Sequence, residues 1–158
     1  MAEYPIHDSK YFDVREFVDE ATWKALGIRA QWLVDPKIVR VVDLLREKTG
    51  VPGYINTWHL SKTPFHIRFK SSGYRRRKDT TGAEYSQHRF GRATDYKAPG
   101  FTPAMLLHVI NSSAAEFEAA GLTRMEDIKF TPTWLHMDCA PKIKGVNPES
   151  GFYIFAPK

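Results

Sequence analysis

Two short segments constrain how this chain can fold, because both contain residue types that bind metal ions. In residues 86–95, His88 and Asp95 flank a glycine-containing bend, so an imidazole nitrogen and a carboxylate oxygen can converge on one ion. In residues 134–139, an extended strand would present His136 on one face. If both segments serve one site, the fold must bring two stretches that are distant in sequence into direct contact.

The second segment has the alternation of a strand. Alternate side chains of a strand share a face, so Trp134, His136 and Asp138 point one way and the side chains between them point into the core. His136 is therefore a third candidate ligand, and Asp138 is placed to orient a ligand from the same face. Three protein ligands and one open position are typical of a catalytic zinc site rather than a structural one. The sequence thus predicts one zinc ion held by His88, Asp95 and His136.

Composition is that of a single globular domain. The chain has 158 residues, of which 42% are hydrophobic and 13% aromatic, so a disordered protein is not expected. The single cysteine, Cys139, excludes an internal disulfide and is typical of a reducing compartment. The N-terminus lacks the pattern of a signal peptide, and no apolar stretch reaches the length of a membrane span. We expect one soluble, monomeric domain over residues 1–158.

The order of the predicted elements favours an α+β fold. Hydrophobic spacing and capping residues predict three helices, the last with a break near residues 111–113, and four strands. Helices first and strands later suggest a helical part, 1–50, and a catalytic part, 51–158, in which a small antiparallel sheet carries the zinc site. The helices are expected over residues 13–26, 36–49 and 103–120, and the strands over 51–58, 122–127, 133–139 and 152–155.

A long polar and basic stretch occupies residues 61–85. It contains a run of three arginines and one lysine at 75–78, and the whole chain has a net charge of +5. Loops of this length are unusual in a compact domain and often functional. Excess positive charge attracts polyanions, so we predict binding to anionic envelope polymers, with a solvated arginine-rich loop as the alternative. Nucleic-acid binding is not expected, since the metal-ligand pattern would have no role in it.

These segments together resemble the zinc D-alanyl-D-alanine carboxypeptidase and L-alanyl-D-glutamate endopeptidase family, whose fold is shared with the hedgehog signalling domain. All specified positions of the family's S-x-H-x-x-G-x-A-x-D signature are present from Ser86 to Asp95, and its W-x-H-x-D is matched at 134–138. Residues 72–75 are similar to its S-G-Y-R element, which implies that Arg75 faces the substrate. The resemblance, greatest to phage-encoded members, implies a zinc peptidase acting on bacterial peptidoglycan.

The general base departs from the family pattern. Many family carboxypeptidases have a glutamate three residues before the last histidine ligand, where this chain has Thr133, which cannot act as a base. If the strands at 122–127 and 133–139 form a hairpin, Glu126 lies opposite His136. Glu126 is therefore the predicted base.

Two other carboxylates are alternative bases. Asp127 follows Glu126 directly, and Asp138 shares the face of the last histidine ligand. The same hairpin places Arg124 opposite Asp138, so we expect Arg124 to hold Asp138 while Asp138 orients a metal ligand. Ser86 is expected to contact substrate or to stabilise its turn.

The predicted reaction is hydrolysis of an amide bond in a peptidoglycan stem peptide. Zinc would activate water and polarise the carbonyl, Glu126 would transfer the proton, and Arg75 would stabilise the oxyanion or bind a substrate carboxylate. Thr133 and the phage-like pattern favour an L-alanyl-D-glutamate endopeptidase over a D-Ala-D-Ala carboxypeptidase. A non-catalytic, zinc-containing virion module that binds the wall is the third possibility. A phage enzyme would act from the host cytoplasm after release by a holin, or would be carried in the virion.

Overall fold

The structure, a computed structural model, describes residues 2–158 and has a mixed α+β architecture. The described residues form five α-helices, three short 3₁₀ helices and one four-stranded sheet. The predicted α+β class is therefore confirmed. The helices are α1 (Val14–Phe17), α2 (Glu20–Leu26), α3 (Pro36–Thr49), α4 (Pro103–Ser112) and α5 (Ala114–Ala120), and the 3₁₀ helices are Ile6–Asp8, Gly27–Leu33 and Gln87–Phe90. The strands are β1 (Ala93–Tyr96), β2 (Arg124–Glu126), β3 (Leu135–Asp138) and β4 (Tyr153–Phe155).

Local sequence explains where the longer helices begin and end. Asp35 caps α3 by accepting a backbone N–H of the first turn, Pro36 occupies the first helical position, and Gly50 ends the helix with a left-handed φ of 69°. The break expected in the third predicted helix falls at Ser113, which separates α4 from α5. The predictions for these helices are confirmed.

The first predicted helix is wrong as a single element. Residues 13–26 form two helices, because Val18 and Asp19 have extended backbone conformations. The Asp19 side chain accepts a hydrogen bond from the Thr22 N–H at 2.8 Å and so begins α2 as a new helix. Hydrophobic spacing cannot reveal such a break, because it continues through the interruption.

The predicted strand at residues 51–58 is also wrong. Its backbone donors bond to three different segments instead of one neighbouring strand: Asn56 donates to the carbonyl of Glu16 and Thr57 to that of Phe69. Only Tyr54 forms a ladder-like contact, an isolated antiparallel bridge to Lys97. The apolar residues of this stretch therefore line the core without forming a strand.

The sheet differs from the expected antiparallel one. Its strand order is β1-β3-β2-β4, in which β3 pairs antiparallel with both β1 and β2, while β4 runs parallel to β2. β3 ends at the end of the sheet where β2 starts, and residues 139–152 carry the chain past β2 to its far side, so β4 starts at that same end. The sheet is therefore mixed, and β1 is a strand that was not predicted.

The hydrophobic core lies between this sheet and helices α3 to α5. Leu135 and Met137 of β3 are fully buried, as are Ile38 and Leu45 of α3 and Leu106 of α4. The side chains that alternate with them in β3 belong to the candidate metal centre described below. Within residues 2–158, no helix combines the length and the apolar character needed to cross a membrane.

Candidate metal centre

The three predicted metal ligands come together from distant parts of the chain. His88 lies in the 3₁₀ helix Gln87–Phe90, and Asp95 of β1 is paired directly opposite His136 of β3. Nε2 of His88 is 3.2 Å from both Nδ1 of His136 and Oδ1 of Asp95, and the last two atoms are 3.0 Å apart. The described part of the chain has no second group of three such ligands.

These distances suit one tetrahedral ion. Zinc ligands at about 2.0–2.1 Å from the metal lie about 3.3 Å from one another. A triangle with the observed sides has its centre about 1.8 Å from each corner, so an ion just above its plane reaches all three atoms at zinc-bond length. The side chains of Asp95 and His136 keep 11% and 7% of their surface exposed, so the cluster reaches the solvent. The cluster can therefore hold a divalent metal, and its donor set is one that zinc accepts.

Hydrogen bonds determine which ring nitrogen each histidine presents to the cluster. Nδ1 of His88 donates to the Gly73 carbonyl oxygen at 2.8 Å, so its Nε2 can face a metal with a lone pair. His136 has the opposite arrangement, since its Nε2 donates to Asp138 at 3.2 Å and its Nδ1 faces the cluster. The two histidines are thus oriented for metal binding before any metal is present.

Asp138 is held in turn by Arg124. The guanidinium donates from Nε and Nη2 to both carboxylate oxygens, at 2.8–3.1 Å. The register of β2 and β3 pairs Arg124 with Asp138, as predicted from the expected hairpin. Burial alone would raise the pKa of Asp138, but the hydrogen bonds from His136 and Arg124 lower it. A low pKa and a full set of partners favour an orienting role for Asp138 over that of a base.

Arg75 contacts the candidate ligand Asp95 directly. Its Nη2 donates to Oδ2 of Asp95 at 3.0 Å, and its Nε donates to the carbonyl oxygen of Ser71 at 2.7 Å. The Arg75 side chain is only 10% exposed. These contacts give Arg75 a role in positioning Asp95, in addition to the predicted contact with substrate.

In the metal-free protein, burial and mutual hydrogen bonds shift the pKa values of the three candidate ligands. Burial alone would raise the pKa of Asp95, but the two histidines hold it well below its usual range. Burial would lower the pKa of His136, but hydrogen bonds to Asp138 and Asp95 raise it to about 9. His88, which is fully buried, has a lowered pKa. A metal bound here near neutral pH would therefore displace a proton from His136, and its affinity would depend on pH.

Glu126, the last residue of β2, is near enough to the cluster for the charges of His136 and Asp95 to affect the pKa of its carboxyl group. β2 and β3 pair antiparallel, and one further step along their register brings Glu126 alongside His136. Its side chain is half-buried, and burial raises the pKa of its carboxyl group. Asp127, in contrast, has a lowered pKa because it accepts from the Lys129 N–H and pairs with that lysine's ammonium. A carboxylate with a raised pKa next to the ligands suits a general base better.

The motif's Ser86 and Gly91 delimit the turn that carries His88. The Ser86 hydroxyl accepts from the His88 N–H at 3.4 Å, which supports the turn-stabilising role of the two roles predicted for it. Gly91 ends the turn with a φ of 66°, and a Cβ atom there would lie 1.7 Å from the Leu33 carbonyl oxygen. Gly91 is therefore required by backbone geometry, whereas Ser86 supports the turn through its side chain.

Two residues at the site were not predicted. Lys97 is almost fully buried and donates to the Ser72 hydroxyl and the Asp95 carbonyl oxygen, both at 2.7 Å, and burial lowers its pKa to about 7. The ring of Phe155 packs edge-on against His136. Lys97 follows Asp95 by two positions, so recognition of β1 as a strand would have placed both on one face. The sequence contains no signal that links Phe155 to the site.

Several arginines in and next to the basic stretch are bonded within the protein. Arg76 forms an ion pair with an aspartate of the loop before α2, and the guanidinium of Arg89 donates to four backbone carbonyls within residues 76–83. Arg77 and Lys78 are exposed and have no ion pair among residues 2–158. Within the run 75–78, these two side chains are therefore the ones available for the predicted binding of anionic polymers.

Comparison of the chain with models of known protein families, with curated proteins and with solved structures finds no match. The family resemblance therefore rests on the sequence motifs. The convergence of the three ligands is a separate observation, because it depends on the fold.

Proposed function

We propose that this protein is a zinc-dependent peptidase that cleaves an amide bond in the stem peptide of bacterial peptidoglycan. The observation that carries the proposal is the convergence of His88, Asp95 and His136, with both histidines oriented by fixed acceptors. The motif resemblance supports peptidoglycan as the substrate and an L-alanyl-D-glutamate bond as the point of cleavage. The proposal includes release from the host cytoplasm by a holin or carriage within a virion.

The surrounding residues have defined roles in this proposal. His88, Asp95 and His136 would hold the zinc ion, which would supply Lewis-acid activation of water and of the scissile carbonyl. Glu126 accepts a proton from the attacking water and passes it to the leaving amine. Arg75 holds Asp95 and presents positive charge where the oxyanion develops. Asp138, fixed by Arg124, keeps His136 in its ligating orientation.

The metal dependence is tested with a histidine pair. His88→Ala removes a buried ligand, whereas His108→Ala removes an exposed histidine of α4. We expect the wild type and His108→Ala to bind one zinc ion per chain and to clear suspensions of cell walls, and His88→Ala to lose both properties. A His88→Ala protein that still clears cell walls would overturn the proposal.

The general base is tested with neighbouring carboxylates. Glu126→Gln is expected to retain zinc and to lose turnover by about 10²-fold or more, because the amide cannot accept the proton. Asp127→Asn is the matched control and should retain activity. If Glu126→Gln were fully active, the role would pass to Asp127 or Asp138.

Mass analysis of muropeptide products separates the possible functions. Cleavage between L-alanine and D-glutamate is expected, whereas release of a single D-alanine would identify a carboxypeptidase. The exposed Thr133 at the position of the family's glutamate favours one further candidate, a virion module that binds the wall without cutting it. Intact muropeptides after prolonged incubation with zinc-loaded protein would identify that module.

A further inference from the structure

We propose that Phe155 of the C-terminal strand is a positioning residue of the metal centre, acting on both His136 and Arg124. The inference rests on the proposed metal centre and extends it to β4, which contributes no ligand. Its basis is a set of contacts between Phe155 and the side chains that hold His136 in its orientation.

The Phe155 ring contacts the imidazole of His136 and the guanidinium of Arg124. Its centroid lies 5.6 Å from that of His136 with the ring planes at 90°, and the guanidinium carbon of Arg124 lies 4.6 Å from the same Phe155 centroid. Arg124 binds Asp138, and Asp138 accepts the hydrogen bond of His136. The four side chains therefore form a closed cycle in which Phe155 is the only apolar member.

Backbone pairing fixes where this ring lies. In the parallel ladder of β2 and β4, Phe155 is the partner of Glu126, and the carbonyl oxygen of Phe155 accepts from the Asp127 N–H at 2.9 Å. Paired positions of adjacent strands project to the same face. The ring is thus held on the face that presents Glu126 and His136.

The cycle restrains two groups that would otherwise have freedom to move. The hydrogen bonds of His136, from Nε2 to Asp138 and between Nδ1 and Asp95, fix the two ring nitrogens but leave the ring able to turn about the line that joins them, and the Arg124 side chain is 25% exposed. An edge-to-face aromatic contact limits the first movement, and a cation–π contact limits the second. Loss of the ring should therefore weaken metal binding without removing any ligand.

The test compares Phe155→Leu, Phe155→Tyr and Ile154→Ala. Leucine keeps apolar volume in the strand but has no aromatic face, whereas tyrosine keeps the face. Ile154 is the matched control, because it lies in the same strand, alternates to the opposite face and is 47% exposed. Zinc affinity is measured by competition with a chelator at fixed pH. We expect a loss of about 10-fold or more in Phe155→Leu and wild-type affinity in the other two variants.

A second measurement separates positioning from general stability. Nitrogen NMR of the metal-free protein reports the protonation and tautomer of His136, and we expect its ring signals to shift in Phe155→Leu and not in Ile154→Ala. Wild-type zinc affinity and unchanged ring signals in Phe155→Leu would overturn the inference and leave the proposed function intact. Failure of the wild type to bind zinc would overturn the metal centre and this inference together, so the two failures are distinguishable.

Discussion

Each ligand side chain has one polar atom turned toward the cluster and another bonded elsewhere in the protein. For Asp95 that second atom is Oδ2, which accepts from Arg75. For His88 it is Nδ1, which donates to the Gly73 carbonyl. Side chains fixed in this way lose little conformational freedom when a metal binds, so loss of a ligand's partner should weaken metal affinity by about 10- to 100-fold.

Arg75→Gln tests this at Asp95. We expect zinc affinity to fall by about 10-fold, because Oδ2 loses its charged partner and the buried carboxylate can rotate. Competition with a chelator measures the change, and Arg77→Gln, at an exposed position of the same run, is the control. Unchanged zinc affinity together with lost hydrolysis would assign Arg75 to the substrate alone.

Glu16 provides a test of stability against pH. Burial raises the pKa of its carboxyl group from 4.5 to about 8, so the folded state binds a proton that the unfolded state has released. The contribution of Glu16 to the free energy of unfolding is therefore greatest below pH 4.5. It falls as pH rises toward 8, by at most about 1.4 kcal/mol per pH unit. In Glu16→Gln the amide oxygen can still accept from the Asp13 N–H, as Glu16 does at 3.1 Å.

The measurement is the free energy of unfolding by denaturant between pH 5 and 9. The difference between wild type and Glu16→Gln isolates this carboxyl group from other groups that titrate in the same range. We expect the variant to gain stability relative to wild type as pH rises. Parallel curves for the two proteins would contradict the raised pKa.

At the scale of elements, the site depends on a close contact between the 3₁₀ helices Gln87–Phe90 and Gly27–Leu33. Gly91 lies against the carbonyl oxygen of Leu33, and its own carbonyl oxygen accepts from the Asp35 N–H at 2.9 Å. The turn that carries His88 is thereby joined to the start of α3. Glycine is needed because any side chain would meet backbone, which cannot move aside.

Gly91→Ala is expected to destabilise the protein by about 3 kcal/mol or more, from a left-handed conformation combined with a backbone clash. Gly100→Ala is the control, since its φ is also positive, at 83°, but no atom lies within 4 Å of the added Cβ. It should lose only about 1–2 kcal/mol. Unfolding by denaturant measures both losses of stability. Equal losses would show that the backbone at Leu33 moves to make room for the added Cβ.

At the scale of the whole molecule, residues 72–75 connect the helical part to the sheet. The Tyr74 N–H donates to the carbonyl of Phe17 at the end of α1, the Arg75 N–H donates to the carbonyl of His88, and the Asp95 N–H donates to that of Ser72. The candidate metal ligands are thus attached both to the sheet and, through this segment, to the N-terminal helices. An ion bound by them should stabilise the whole fold.

Zinc is therefore expected to raise the melting temperature, and a chelator to lower it. At free zinc of about 100 times Kd the gain is about 2.7 kcal/mol, because the ion binds the folded state selectively. Calorimetry measures the shift, with His88→Ala as the control that should show none. A melting temperature that does not respond to zinc in the wild type would contradict metal binding by the folded protein.

Sequence alone determined the features that depend on near neighbours along the chain. The caps of α3, the break at Ser113 and the alternation of β3 follow from local hydrogen bonding and side-chain direction. The three ligands were predictable because their spacing matches a known motif. The register that pairs Arg124 with Asp138 also followed from the sequence, since a hairpin leaves few alternatives.

The tertiary structure decided what depends on residues that are distant in sequence. Residues 51–58 have the hydrophobic pattern of a strand, but their backbone groups bond to three separate segments. The parallel attachment of β4, which brings Phe155 to His136, was likewise invisible in the sequence. Local propensity reports the conformations available to a segment, whereas pairing partners are chosen by the burial and hydrogen bonding of the whole chain.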